Sequence, residues 1–245
     1  MELKKRYKAV FFDLGGTLRI ALNDEAYMRH ARRKMAEIAG TDMPYEDFYQ
    51  LVEDRYEPYR KWALGENKES GDEELWCKWL LPDYNPIRIA QVCHELSFQY
   101  RQTKGRRVVV DGGVEVIRTL HERGYRLGII SNLIGENEVP DWLEEDGLDQ
   151  YFSSVVLSSV CHLRKPCSEI YRIASQELGV DLADCVSVAD NVKRDLSGAI
   201  DAGVGCNIIF RSPEKKHPVD VSGPVRPDAV ISEFPELLDL LPALN

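Results

Sequence analysis

The chain has 245 residues, of which 44% are hydrophobic and 29% are charged, a composition typical of a soluble globular protein. This length predicts one large domain, or a core domain that carries a smaller insertion. The formal net charge of −10 argues against a protein that binds nucleic acid or an anionic membrane through a basic face.

The first predicted strand is short and apolar, and it runs from about Lys8 to Asp13. Two glycines and a threonine follow the carboxylate at its end, in the sequence Asp13-Leu14-Gly15-Gly16-Thr17. This pattern is typical of a buried strand that delivers a single carboxylate to a tight turn. We therefore interpret Asp13 as a candidate nucleophile.

The next segment, residues 22–104, predicts helices, because apolar side chains such as Met28, Met35 and Ile38 recur at helical spacing. The four predicted helices cover residues 24–39, 44–64, 72–80 and 86–103. The segment is also rich in large aromatic side chains, which favour a small helical core, with an aromatic pocket or a dimer surface as the alternative. The run of aromatic residues comprises Tyr45, Phe48, Tyr49, Tyr56, Tyr59, Trp62, Trp76, Trp79 and Tyr84.

From Val108 onward the predicted helices and strands alternate. Helices are predicted over residues 113–123, 140–146, 168–178, 196–202 and near 233–241, and strands over 125–130, 152–157, 185–189, 205–210 and 228–231. Residues 211–227 are rich in proline and charge and predict an irregular excursion. The alternation of apolar strands with helices predicts an α/β fold with a doubly wound, Rossmann-like parallel sheet.

Three polar residues follow or end strands of this predicted sheet. They are Asp13, Ser131 and Asp190. Ligands of open parallel sheets bind at the carboxyl ends of the strands, so we expect these side chains to gather on one rim. The helical segment follows the first strand directly and could fold over that rim.

The six cysteines are scattered through the chain and form no C-x-x-C pair. In a chain of this length they indicate reduced thiols in a cytoplasmic protein. The charged N-terminus lacks the apolar stretch of a signal peptide, and no apolar run is long enough to span a membrane.

Four motifs occur in order along the chain: Asp13-Leu14-Gly15-Gly16-Thr17, Ser131-Asn132, Lys165-Pro166, and Val188-Ala189-Asp190 with Asp195. In this order they closely resemble the haloacid dehalogenase (HAD) superfamily of hydrolases, over almost the whole chain. The resemblance implies a core domain of residues 1–21 and 105–245, with a helical cap domain inserted at residues 22–104. Caps of this kind close over the active site and select the substrate.

The resemblance also implies catalytic roles. Asp13 would attack the substrate and form a covalent aspartyl intermediate. Lys165 would neutralise this carboxylate and the anionic substrate. The hydroxyl of Ser131 and the adjacent backbone N–H groups, including that of Asn132, would bind phosphoryl oxygens.

A magnesium ion is the implied cofactor. Its ligands would be Asp13, the main-chain carbonyl of Gly15 and Asp190, with Asp195 as a direct or indirect ligand, because Mg²⁺ prefers oxygen atoms. The implied substrate is a small phosphorylated or carboxylated molecule, and the protein would be a monomer or a homodimer. No nucleic-acid or membrane partner is expected.

Gly15 departs from the pattern of HAD phosphatases, which usually carry a second aspartate two residues after the nucleophile. In those enzymes the aspartate protonates the leaving group and then activates water, a contribution typically worth about 10²–10⁴-fold. The first alternative is a phosphatase that uses another acid or favours good leaving groups. Others are a metal-independent 2-haloacid dehalogenase, a phosphonatase, and a catalytically impaired binding protein. The pair Asp190 and Asp195 favours the magnesium-dependent phosphatase, because dehalogenases generally lack these paired aspartates.

Overall fold

The computed structural model of the protein describes residues 5–212 and 223–244. Its strands are β1 (Ala9–Phe12), β2 (Arg19–Leu22), β3 (Arg106–Val109), β4 (Arg126–Ser131), β5 (Phe152–Leu157), β6 (Cys185–Ala189), β7 (Cys206–Phe210) and β8 (Ala229–Ile231). Its α-helices are α1 (Glu25–Ala39), α2 (Tyr45–Glu66), α3 (Asp72–Glu74), α4 (Pro86–Gln102), α5 (Gly113–Glu122), α6 (Glu138–Glu145), α7 (Ser158–Cys161), α8 (Ser168–Leu178), α9 (Ser197–Ala202) and α10 (Leu237–Leu240).

Six strands form one parallel sheet in the order β5-β4-β1-β6-β7-β8. Every residue of β1 is buried, and successive side chains point to opposite faces, as in any strand. Val10 and Phe12 join one hydrophobic cluster, whereas Ala9 and Phe11 join another. Burial on both faces explains the uninterrupted apolar sequence of the central strands. The predicted α/β fold with a parallel sheet is confirmed.

The helices α1 to α4 form an insertion between β2 and β3, which pair with each other as an antiparallel ribbon. These helices have their own hydrophobic core, in which Phe48, Tyr59 and Trp76 are completely buried. Six further aromatic side chains are partly buried and pack against this core: Tyr45, Tyr49, Tyr56, Trp62, Trp79 and Tyr84. The aromatic residues therefore stabilise the helical insertion, as the sequence favours.

The structure differs from the predicted elements in several places. The ribbon of β2 and β3 was not predicted, because its half-exposed, arginine-rich strands lack an apolar pattern. The predicted helix at 72–80 is α-helical only over α3 and continues as a π-helical segment, Leu75–Leu80. The helix α9 likewise follows a π-helical turn, Val192–Leu196. The hydrogen bonds of a π-helix span one residue more than those of an α-helix, and the spacing of apolar residues in the sequence does not reveal this difference.

Two further observations complete the fold. Part of the predicted irregular excursion, residues 213–222, lies outside the described residues. In the described part of the chain, no helix combines the length and apolar character needed to cross a membrane.

Candidate active site

Three neighbouring strands deliver polar residues to the same edge of the sheet. Asp13 follows β1 directly, Ser131 is the last residue of β4, and Asp190 follows β6. The strands β4 and β6 flank β1 on its two sides. The backbone N–H of Asp13 donates to the carbonyl of Val188 at 3.0 Å, which ties the end of β1 to β6. The parallel sheet thus brings together residues that are far apart in the sequence.

Asp13 is only 4% exposed and lies at the centre of the site. Its Oδ2 accepts a hydrogen bond from the hydroxyl of Thr17 at 3.4 Å. The turn between these residues needs Gly16, whose φ of +85° lies in the region that favours glycine. The carboxylate is therefore held in a fixed position by the turn that follows its strand.

Lys165 is the buried cation of the site. Its Nζ lies 2.7 Å from Asp13 Oδ1 and 2.6 Å from Asp195 Oδ1, and it donates to the carbonyl of Ile130 at 2.7 Å. The side chain of Asn132 donates to the Lys165 carbonyl at 2.9 Å and accepts from the Lys165 N–H at 2.8 Å. Asn132 therefore positions Lys165, a role that the sequence did not indicate.

Asp190 and Asp195 lie in the segment between β6 and α9. Asn191 begins this π-helical turn, and its side chain accepts from the backbone N–H of Arg194 at 2.9 Å. The hydroxyl of the buried Tyr171 donates to the carbonyl of Asp195 at 2.9 Å. At Gly198, a Cβ would lie 2.8 Å from the Cα of Pro166, so glycine lets α9 approach the residue after Lys165.

The donor set of this site fits a magnesium ion. Asp13, Asp190 and Asp195 are all buried, and each offers a carboxylate oxygen within 4.8 Å of the other two. Carboxylate oxygens are the ligands that hard divalent cations prefer. Three carboxylates so close together also require compensating positive charge, which a divalent ion supplies.

The charges of the cluster perturb one another. Burial raises the pKa of Asp13, and the Asp195 and Asp190 carboxylates add to this rise, against the opposing effects of Lys165 and Arg194. Burial alone would also raise the pKa of Asp195, but Lys165 and Arg194 outweigh it and hold that pKa below its usual value. Asp195 is thus the carboxylate that the two cations neutralise most directly.

Arg194 is a component of the site that the sequence did not single out. Its Nη2 lies 2.9 Å from Asp195 Oδ2, 3.5 Å from Asp190 Oδ1 and 3.6 Å from Asp13 Oδ2. The signal in the sequence was a basic residue four positions after one motif aspartate and directly before the other.

The inserted helices reach the site through Glu69. This carboxylate is buried, and it accepts hydrogen bonds from Tyr59 of α2, from Ser158 at the start of α7, and from Arg164. Ser158 also accepts from the backbone N–H of Leu133, at 2.9 Å. Glu69 therefore joins the insertion to the loops that carry Asn132 and Lys165, and it had no recognisable signal in the sequence.

Gly15 lies in the turn after Asp13 with open space beside it. A Cβ added at Gly15 would have no neighbouring atom within 4 Å, and the backbone is outside the left-handed region. Neither packing nor backbone conformation therefore requires a glycine at this position, in contrast to Gly16.

Two comparisons of the sequence with known proteins lead to the same family of hydrolases. The family model described as haloacid dehalogenase-like hydrolase matches residues 7–203. A glyceraldehyde 3-phosphate phosphatase of Pyrococcus furiosus is 27% identical to this chain over 248 residues, which cover 98% of this chain and 95% of the relative.

Solved structures show the same fold. A 2-haloacid dehalogenase of Pseudomonas syringae pv. Tomato DC3000 has a TM-score of 0.66 at 20% identity, covering 95% of this chain and 97% of that one. The magnesium-bound YfnB, a putative HAD-hydrolase of Bacillus subtilis, has a TM-score of 0.60 at 18% identity, covering 96% of this chain and 98% of that one. At these identities the likeness concerns the architecture of sheet and inserted helices.

Proposed function

The chain belongs to the haloacid dehalogenase-like hydrolases, and from that membership we propose that it is a magnesium-dependent phosphatase of the cytoplasm. Its substrate is a small phosphorylated metabolite, and Asp13 forms an aspartyl-phosphate intermediate. The observation that carries the proposal is the buried cluster of Asp13, Asp190 and Asp195. A divalent cation satisfies such a cluster, whereas release of a halide does not require one.

The proposed reaction has two steps. In the first, a carboxylate oxygen of Asp13 attacks phosphorus, and the bond between phosphorus and the leaving oxygen breaks. In the second, water attacks the phosphorus of the aspartyl phosphate, releases inorganic phosphate and regenerates the Asp13 carboxylate. The Nζ of Lys165 lies 2.7 Å from Asp13 Oδ1 and keeps the free carboxylate oriented for its attack on phosphorus.

The remaining site residues bind the substrate phosphate and the ion. Ser131 and the backbone N–H groups that follow it bind the phosphoryl oxygens at the end of β4. Asp13, Asp190, the Gly15 carbonyl and Asp195, directly or indirectly, hold Mg²⁺. When bound, the ion supplies positive charge that stabilises the phosphoryl oxygens in the transition state.

The absence of a carboxylate at position 15 determines the preferred leaving group. With glycine there, the departing oxygen receives no proton from this turn. Acyl and aryl phosphates, whose leaving groups need little protonation, are therefore better substrates than alkyl phosphates. The name of the Pyrococcus relative makes glyceraldehyde 3-phosphate the first alkyl ester to test.

The test is a panel of phosphate esters assayed for release of inorganic phosphate, with Mg²⁺ and with a chelator. The panel contains acetyl phosphate, p-nitrophenyl phosphate and glyceraldehyde 3-phosphate. Turnover is expected with Mg²⁺ and should fall by at least about 10³-fold in Asp13→Asn, as expected for removal of a nucleophile. Asp201→Asn on the exposed face of α9 is the matched control and should retain activity.

Two outcomes would overturn the proposal. Absence of phosphate release for every ester in the presence of Mg²⁺ is one, and unchanged turnover in Asp13→Asn is the other. The dehalogenase alternative is favoured by the missing second aspartate and predicts release of halide from 2-haloacids without metal. The binding-protein alternative predicts tight uptake of a phosphorylated ligand without turnover.

A further inference from the structure

The buried carboxylates of the site outnumber its buried lysine. Asp13, Asp190 and Asp195 are at most 5% exposed, and Lys165 is the fully buried cation that contacts two of them. Three negative charges beside one positive charge are unfavourable in a buried site, because desolvation removes the screening that water provides. A second cation is needed, and the chain itself carries one in Arg194.

The guanidinium of Arg194 lies among the three carboxylates. One nitrogen atom, Nη2, contacts all three, at 2.9 Å from Asp195, 3.5 Å from Asp190 and 3.6 Å from Asp13. The Nε atom adds contacts to both oxygens of Asp195, at 3.3 and 3.2 Å. Each of the three carboxylates also offers an oxygen atom within 4.8 Å of the other two, so the guanidinium occupies the same cluster of side chains that could hold a metal ion. Magnesium ligands lie about 2.0–2.1 Å from the ion, and this leaves no room for a guanidinium nitrogen between them.

Arg194 is also placed so that it can leave. Its side chain is 32% exposed, whereas that of Lys165 is 2% exposed. Its backbone is fixed by Asn191, whose side chain accepts from the Arg194 N–H. Rotation about the side-chain bonds can therefore carry the guanidinium into solvent without disturbing the turn that holds Asp190 and Asp195.

We propose that Arg194 is an internal counter-cation that competes with Mg²⁺ for the three carboxylates and moves outward when the ion binds. This inference rests on the magnesium dependence of the proposed function. It predicts that Arg194 stabilises the metal-free protein, and that the same residue weakens the binding of the ion.

The test measures Mg²⁺ binding by isothermal titration calorimetry in the wild-type protein and three variants. Arg194→Met keeps an unbranched, flexible side chain and removes the guanidinium with its charge, and it should bind Mg²⁺ about tenfold more tightly or better. Arg194→Lys retains the charge on a single nitrogen and should give an intermediate affinity. Lys193→Met, at the exposed neighbouring position, is the matched control for the loss of one positive charge and should change the affinity by less than about twofold.

Thermal denaturation provides a second readout that does not depend on turnover. In chelator, Arg194→Met should melt at a lower temperature than the wild type, because its carboxylates have lost their second cation. Saturating Mg²⁺ should then raise the melting temperature more in this variant than in the wild type, in line with its tighter binding.

The inference is overturned if Arg194→Met binds Mg²⁺ no more tightly than the wild type, or if neither protein binds the ion. Loss of tight binding in the double variant Arg194→Met with Asp190→Asn would locate the ion at the cluster, whereas retained tight binding would contradict the proposal. If the binding and melting results are as expected but no ester is hydrolysed, the proposed phosphatase fails and the competition at the carboxylates stands.

Discussion

At the scale of single residues, position 15 is where the presence or absence of a side chain changes the chemical groups of the turn after Asp13. Gly16, the next residue, has a φ of +85°, which favours glycine. Gly15 has no such constraint, and a side chain there would enter open space. The backbone of the turn therefore does not require glycine at position 15, and in the proposed reaction the leaving group receives no acid from this position.

A carboxylate restored at this position should change the substrate preference. Gly15→Asp is expected to speed hydrolysis of alkyl phosphates more than that of acyl phosphates, because alkoxides are the leaving groups that need a proton. The upper limit of the gain is about 10²–10⁴-fold, the usual contribution of general acid–base catalysis. Steady-state kcat/KM for glyceraldehyde 3-phosphate and acetyl phosphate measures the effect.

Gly15→Asn is the matched control, since it adds a side chain of the same size that does not titrate. It should leave the ratio of the two kcat/KM values close to that of the wild type. An equal gain for both substrates in Gly15→Asp, or no gain in either, would show that another group supplies the proton or that none is needed.

At the scale of elements, the helical insertion is attached to the sheet by buried ionic contacts as well as by its ribbon. Arg101 of α4 pairs with the buried Glu138 of α6, and Glu69 pairs with Arg164. Burial lowers the pKa of Arg164, so this guanidinium depends on its counter-charge. Because Arg164 directly precedes Lys165, the contact couples the position of the insertion to the loop that carries Lys165.

Loss of the charge at Glu69 should therefore destabilise the protein. In Glu69→Gln the buried Arg164 loses its counter-charge, and breaking a buried ion pair in this way typically costs about 3–5 kcal/mol. The free energy of unfolding from urea denaturation measures the effect. Glu74→Gln is the control, because the Glu74–Lys78 pair is exposed, and such pairs contribute about 0.2–1 kcal/mol. Equal effects of the two substitutions would contradict a role for Glu69 in attaching the insertion.

The elements differ in how far the sequence determines them. The bounds of β5, β6 and α8 are predicted to the residue, because each element ends directly before a residue that interrupts its pattern: Ser158, Asp190 and Gly179, respectively. The ribbon of β2 and β3 could not be predicted, because its pairing joins the two ends of the insertion and its strands are rich in arginine. The short helix α7 was likewise missed, since Ser158 and Ser159 look like the end of a strand.

The residues of the candidate site also differ in whether the sequence could identify them. Asp13, Lys165, Asp190 and Asp195 were chosen from motifs, and the structure brings these four together in one buried cluster. Arg194 could not be assigned in this way, because its contact with three carboxylates depends on how a π-helical turn directs its side chain. Sequence motifs identify ionisable side chains of a site, whereas the charge balance of the site depends on the directions in which neighbouring side chains point.

At the scale of the whole molecule, the protein has separate hydrophobic cores for its sheet and for its inserted helices. The helical core is centred on residues such as Phe48 and Trp76, with Ile134 as its contribution from the sheet side. The sheet has its own clusters on both faces. Since the chain passes between these regions only through β2 and β3, we expect the insertion to lose its structure without unfolding the sheet.

Phe48→Ala tests this expectation. The side chain is completely buried in α2, and its truncation should cost the insertion about 3–5 kcal/mol. Hydrogen exchange should then show reduced protection for the amides of α2, while those of β1 keep the protection they have in the wild type. Ile87→Ala, at a position that is 73% exposed on α4, is the control and should change neither region. An equal loss of protection in α2 and β1 would mean that the buried ionic contacts of Glu69 and Glu138 make the two cores unfold as one. The insertion could then move as a rigid body over Asp13, but it could not open by local unfolding.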